Sequence, residues 1–289
     1  MAFADSMPAA GRLGALLEVQ AHQVSAHRFP DKECLIRIPT SAQTVILYRS
    51  LDNPDHKLIE IMLAASAARD GGAARVILVA PYLSYMRQDK AFHPGEANSQ
   101  KVIGGLLASH FDALVTVDPH LHRVATLSEA IPGIPAISVS AAPLLGALID
   151  VMDNPIIIGP DNESRQWTEA IGRPLGLQTL IATKQRLGDR RVSLTIAQVK
   201  HAKGRRAIIV DDMISSGRTL TEAAKLLRQA GTTSIEAIAT HCLARSDDLA
   251  FMATHGITRI ACSDSIDGPT SKAALAPLIA HALRDNALA

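Results

Sequence analysis

Two α/β domains, each a mostly parallel sheet flanked by helices, are what the 289-residue sequence predicts. Three observations carry that expectation. Short, continuous β-branched runs recur along the chain, as strands do when both of their faces are covered. Each run ends in a polar turn that leads into an amphipathic stretch, the alternation that builds right-handed strand–helix–strand crossovers. About five such strands fall on each side of residue 145, enough for two sheets of ordinary size.

Taken in order, "RFPDKE" (28–33) is a turn before the strand "CLIRIP" (34–39). A helix is expected over 55–70, stopped by Gly71-Gly72, and "RVILVA" (75–80) follows as a strand. A helix over 99–110 takes Ser99 as its N-cap, and "DALVTVD" (112–118) is the next strand. The segment "AAPLLGALIDVMDNP" (141–155) reads as a helix that begins after Pro143 and passes from one domain to the next, giving domains of 1–145 and 146–289. Beyond it come the strands "PIIIGPD" (155–161), "RAIIVDD" (206–212) and "SIEAIATH" (234–241), with helices over 163–172 and 219–230, the latter ending at Gly231.

Bulk properties exclude several functions. Only 3% of residues are aromatic, too few for a platform on which single-stranded bases stack. The formal charge of +1, from 29 basic and 28 acidic residues, creates no field that recruits polyanions, so nucleic acid is not an expected partner. No apolar run approaches the roughly 20 residues that cross a bilayer, and the N-terminus lacks the basic and apolar regions of a signal peptide. Cys34, Cys242 and Cys262 form no CxxC pair, which fits a reducing, cytoplasmic setting.

The chemistry concentrates in "IIVDDMISSGRTL" (208–220). Here a strand ends in two carboxylates, Asp211 and Asp212, and runs through Ser215, Ser216, Gly217, Arg218 and Thr219 into a helix. Backbone N–H groups and the positive end of a helix dipole favour a phosphate, and Gly217 allows the backbone to approach it closely. The carboxylates accept hydrogen bonds from sugar hydroxyls. A pentose carrying a terminal phosphate satisfies both halves, whereas a P-loop is excluded because GxxxxGK[ST] is absent from the chain.

"VDDMISSGRTL" resembles the phosphoribosyl-diphosphate loop shared by type I phosphoribosyltransferases and ribose-phosphate diphosphokinases (PRPP synthetases). Further motifs resemble the synthetases. "RFPDKE" is similar to their F-x-D-G-E segment, which a neighbouring subunit lends to the adenine of ATP; the likeness implies that role for Phe29, Asp31 and Glu33, with Lys32 where the family has glycine. "APYLSYMRQDKAFHPGEANSQKVIGGLL" (80–107) is similar to their P-Y-x-x-Y-x-R-Q-D-(K/R) segment and implies ATP binding by Arg87, Gln88 and Asp89. An exposed loop of this length with clustered charges is also, on its own terms, a functional signal.

"TVDPHLH" (116–122) resembles the family's D-L-H motif and implies that His120 lies at the ATP–magnesium site; alternation also permits His120 and His122 as a metal-binding pair, as in a metal hydrolase. In "GPDNESRQW" (159–167), Asp161 is implied as a Mg²⁺ ligand, while Asn162, Glu163 and Ser164 replace the family's small residues. "ATKQRLGDRRVSLTI" (182–196) resembles the opening of the catalytic flexible loop and implies that Lys184 and Arg186 bring charge to the transferring group. Arg218 stands where the synthetases have glycine.

The resemblance runs in order from residue 28 to 283. It implies two phosphoribosyltransferase-like domains, the first on the ATP side and the second on the ribose 5-phosphate side, in a homodimer or larger homo-oligomer. The implied reaction makes PRPP and AMP from ATP and ribose 5-phosphate, with Mg²⁺ as cofactor. A non-catalytic regulatory module and a phosphoribosyltransferase that consumes PRPP stay open as alternatives.

Overall fold

The computed structural model describes residues 1–40, 42–91, 93–186 and 192–289, and the side chains of 184–186 and 192–193 lie outside that description. The chain forms two compact units. The first comprises Met1–Ser140, Ser265–Asp267 and Ala274–Ala289, and the second Ala141–Asp264 and Gly268–Ala273.

In the first unit, helix α1 (Met7–Leu16) precedes an antiparallel hairpin of β1 (Ser25–Arg28) and β2 (Cys34–Arg37). The sheet follows, with β3 (Thr44–Tyr48), β4 (Arg75–Ala80), β5 (Ala113–Val117) and β6 (Ala136–Val139) all parallel and in that spatial order. Its connections are α2 (Pro54–Asp70), α3 (Ser99–Ala108) and the short α4 (Leu127–Ala130). The β4 run reads apolar without alternation because Val76 through Ala80 are all fully buried, one set facing each layer. Leu47, Leu78 and Leu114 pack with Ile61 of α2 and Leu107 of α3 to form the core.

In the second unit, α5 (Ala142–Gly146), β7 (Ile156–Gly159), α6 (Arg165–Gly172), β8 (Thr179–Arg186), β9 (Val192–Ile196), β10 (Arg206–Ile214), α7 (Arg218–Gln229), β11 (Ser234–Cys242), α8 (Ser246–Thr254), β12 (Arg259–Ser263) and β13 (Ser271–Ala273) follow one another. They build a seven-stranded sheet of order β13-β12-β11-β10-β7-β8-β9, parallel except for the β8–β9 pair. Helix α7 buries Leu220, Ala223, Ala224 and Leu227, the apolar stripe of a 3.6-residue period, and stops before Gly231 at φ +84. Among the described residues no helix is long and apolar enough to cross a membrane.

The expected strands and helices are present within one to three residues of their predicted ends. Three expectations are corrected. The N-cap of α3 is Asn98, not Ser99: the Asn98 side chain accepts a hydrogen bond from the Lys101 N–H at 3.0 Å. The interdomain helix over 141–155 shrinks to the five residues of α5, because the Leu148 and Ile149 amides bond to Leu145 and Gly146, three residues back, and the coil tightens into a turn.

Finally, the second domain does not run to residue 289. Helix α9 (Ala276–Asp285) belongs to the first unit. There Arg284 donates to the Leu16 carbonyl at the end of α1, and Arg75 of β4 donates to the Ala287 carbonyl at 3.3 Å.

Candidate active site

Each unit carries a cluster of polar residues at the carboxyl ends of its parallel strands, where ligands of open α/β sheets collect. In the second unit the cluster is built on β10. Asp211 and Asp212 lie inside the last stretch of that strand, and Asp211 sits in register with Ala239 of β11. Asp212 is buried and its N–H donates to Asp211 Oδ1 at 3.0 Å. Burial first, then the neighbouring charges of Asp212 and Asp161, push the Asp211 carboxyl well above the ordinary carboxylate range. Asp161 is therefore an electrostatic neighbour of Asp211, although about fifty residues separate them in sequence. Three carboxylates close together supply oxygen donors only, the set a hard divalent cation prefers.

Asp161 is held by the turn that leads into α6. Its Oδ1 accepts from the Glu163 and Ser164 N–H groups, both at 3.1 Å. The fully buried Ser164 hydroxyl donates to the Asp161 carbonyl at 2.7 Å. A side chain thus closes the turn where small residues were expected. Gly159 makes the space, since a Cβ there would meet the Ser164 and Thr168 hydroxyls at 2.6 and 2.8 Å.

After β10 the chain passes through Ser215, which is half-buried, and Ser216, which is exposed. Gly217 caps α7 at φ +69, a left-handed conformation open to glycine, and Arg218 begins the helix with its side chain in solvent. A Cβ on Gly217 would fall 2.4 Å from Met252 Cγ and Sδ, so α8 packs directly beneath the loop. The Thr221 N–H closes the first turn on the Gly217 carbonyl at 2.9 Å. The N–H groups before it are the ones a helix cannot satisfy internally, and they present partial positive charge to an anion.

In the first unit, β4 leads through a Tyr85 at φ +65 into Arg87, Gln88 and Asp89. Arg87 and Gln88 are exposed, but the Asp89 side chain is completely excluded from solvent. It is ion-paired to Arg123, Nη1 to Oδ1 at 2.5 Å. The start of α3 pins the same segment: Asn98 Nδ2 donates to the Asp89 carbonyl at 2.8 Å, and Gln100 Nε2 to that of Met86 at 3.1 Å. Asp89 thus positions Arg123 and the loop. Arg123 escaped the sequence reading because its partner Asp89 lies 34 residues away; the one local signal was an unassigned charge three residues beyond His120.

His120 is buried at the end of β5, after Asp118 turns the chain at φ +37. The hairpin turn leaves Phe29, Asp31 and Glu33 exposed. Lys32 adopts φ +75 there, with its N–H on the Phe29 carbonyl at 2.9 Å, so lysine takes up a conformation suited to glycine. Lys184 and Arg186 fall on β8, and their side chains lie outside the described residues, as do residues 187–191.

Two parallel α/β units, one ending in an acidic pair followed by a glycine-capped hydroxyl loop, define the phosphoribosyltransferase class of fold. Residues 3–110 match the N-terminal domain of ribose phosphate pyrophosphokinase, and residues 136–262 match the phosphoribosyl transferase domain. The chain is 32% identical to the ribose-phosphate pyrophosphokinase of Methanopyrus kandleri, over 99% of this chain and 98% of that one. It is 31% identical to that of Methanothermobacter thermautotrophicus, over 97% and 98%. The crystal structure of phosphoribosylpyrophosphate synthetase from Mycobacterium smegmatis shares the fold with a TM-score of 0.84, at 23% identity over 99% of this chain and 98% of that one. The chain belongs to the ribose-phosphate pyrophosphokinase family.

Proposed function

We propose that the protein transfers the diphosphoryl group of ATP to the anomeric hydroxyl of ribose 5-phosphate, giving PRPP and AMP for nucleotide biosynthesis in the cytoplasm. The observation that carries this reading is the juxtaposition at the end of β10: partly and fully buried carboxylates, then a glycine-capped loop and a helix N-terminus. Asp211 and Asp212 accept hydrogen bonds from the ribose hydroxyls, while Ser215, Ser216, Gly217, Arg218 and Thr219 surround the 5-phosphate. Arg87, Gln88 and His120 bind the polyphosphate side of ATP, with Asp89 acting through Arg123. Phe29, Asp31 and Glu33 are exposed and serve the adenine of a second copy in a homodimer or larger assembly.

In the reaction, the anomeric oxygen forms a bond to the β-phosphorus as the bond between that phosphorus and the α–β bridging oxygen breaks, and AMP leaves. The hydroxyl proton passes to solvent. Such transfers depend on positioning and charge neutralisation more than on covalent catalysis. Lys184 and Arg186 supply positive charge to the transferring group. The oxygen donors of Asp161 and Asp211 fit Mg²⁺, which when bound neutralises phosphate charge and relieves the crowding of these carboxylates.

The test combines purified protein with ATP and Mg²⁺ and follows AMP with and without ribose 5-phosphate. AMP that forms only when the sugar is present is the expected result. AMP formation independent of the sugar, or none at all, would overturn the reading.

A further inference from the structure

The hairpin of β1 and β2 is a sheet of its own, hydrogen-bonded to no other strand among the described residues. β1 is exposed along its whole length, and β2 alternates half-buried with exposed residues. In the middle of β2, Ile36 packs against the core of the first unit. At the tip the attachment is ionic. Arg28 closes the ladder opposite Cys34, one residue before the turn, and its Nη2 donates to Glu60 Oε1 at 2.5 Å.

Glu60 stands on α2 with its side chain only 5% exposed. Its second oxygen accepts from Arg49 Nη1 at 2.6 Å. Arg49 directly follows β3, with its N–H on the Val79 carbonyl at 2.9 Å and its guanidinium 3.8 Å over the Phe3 ring. A buried carboxylate is thus clamped between one guanidinium fixed to the sheet and another that carries the hairpin tip. Both bonds are charge-assisted, and little water competes for the carboxylate.

The turn beyond Arg28 is preset. The Phe29 N–H bonds to the Glu33 carbonyl at 2.8 Å, and Asp31 Oδ1 accepts from the Glu33 N–H at 3.1 Å. The His27 and Phe29 rings cross at 85° with centroids 4.8 Å apart, a favourable edge-to-face contact, while Phe29 stays 40% exposed. An isolated two-stranded ribbon is marginally stable, so the position of such a turn is decided by what holds its base.

We propose that Glu60 is a positioning residue for the nucleotide: by joining Arg28 to Arg49 it fixes where the turn presents Phe29, Asp31 and Glu33 to the adenine. This rests on the adenine role proposed above for those three residues, and not on turnover.

The test is calorimetric titration of the full chain with ATP and Mg²⁺ and, separately, with inorganic tripolyphosphate and Mg²⁺, which offers the charge without the base. Arg28→Met keeps the aliphatic stem and leaves Glu60 paired with Arg49, so the fold is retained. It should weaken ATP binding about five-fold, the loss of a charge-assisted hydrogen bond reduced because the Arg28 side chain is 47% exposed. Tripolyphosphate binding should change less than about two-fold, since only the base meets the hairpin, and Arg28→Lys should restore ATP binding to within about two-fold of wild type. In a Glu60→Gln background Arg28→Met should add less than about two-fold, because the link is already broken. Where Glu60→Gln does not fold, the Arg28→Met comparison decides alone. Equal losses for ATP and tripolyphosphate overturn the proposal, as do ATP binding unchanged within about two-fold and losses that multiply in the double variant. A base-selective loss in a protein that forms no AMP from ribose 5-phosphate would sink the proposed reaction and leave this inference standing. Wild type that does not bind ATP overturns both.

Discussion

Replacing Gly217 by alanine probes the loop between β10 and α7 and the packing beneath it together. Two separate costs arise. A Cβ at φ +69 carries the left-handed penalty of about 1–2 kcal/mol. The same atom would sit 2.4 Å from Met252 Cγ and Sδ, and Met252 is fully buried, so its side chain has to repack against its neighbours. Overpacking of this kind costs about 1–3 kcal/mol, for a sum of about 2–5 kcal/mol. The measurement is urea unfolding followed by the fluorescence of Trp167, the one tryptophan in the chain. Trp167 lies buried on α6 of the second unit and reports on that unit. In a Met252→Ala background the overlap disappears, and Gly217→Ala should cost only about 1–2 kcal/mol. Equal costs in the two backgrounds, or a cost below about 1 kcal/mol in the wild type, would refute the reasoning.

Two other outcomes are expected. Asp211 carries a carboxyl whose folded pKa is raised, so its protonated form favours the folded state, and that contribution is lost as pH rises through the folded value. Asp211→Asn should therefore raise the ligand-free melting temperature at pH 7 while weakening ribose 5-phosphate binding. The stability gain should close as pH falls toward about 4, where the unfolded carboxyl titrates; a lower melting temperature at pH 7 would contradict the account by burial and neighbouring charge. Lys32→Gly removes a left-handed lysine and should stabilise the hairpin turn by about 0.5–1 kcal/mol, read as an increase in amide protection at Phe29 and Lys32; unchanged protection would count against strain there.

Much of the second-unit site was legible in the sequence because it is local. Asp211 through Thr219 span one strand end, one turn and the first turn of a helix, so their grouping follows from the local order of residues alone. Asp161 needed the fold: only the parallel pairing of β7 with β10 brings the ends of these strands side by side. Asp89 has a partner that its own segment does not show. Its neighbours Arg87 and Gln88 are exposed as a binding loop requires, yet the Asp89 side chain turns inward to Arg123, a partner 34 residues away. The Asn98 cap was missed by one residue because both asparagine and serine suit that position.

By itself the sequence determined which segments are strands and helices, where glycine must turn the chain, and which strand end gathers carboxylates, hydroxyls and a helix N-terminus in one loop. All of these follow from periodicity and residue chemistry within a dozen positions. Only the tertiary structure decided that α9 closes on α1, that Asp89 serves Arg123, and that the His122 ring meets that of His120. An amphipathic face or a charged side chain declares that it needs a partner, but burial and pairing free energies are nearly the same for many partners. The choice among them is made when the whole chain packs.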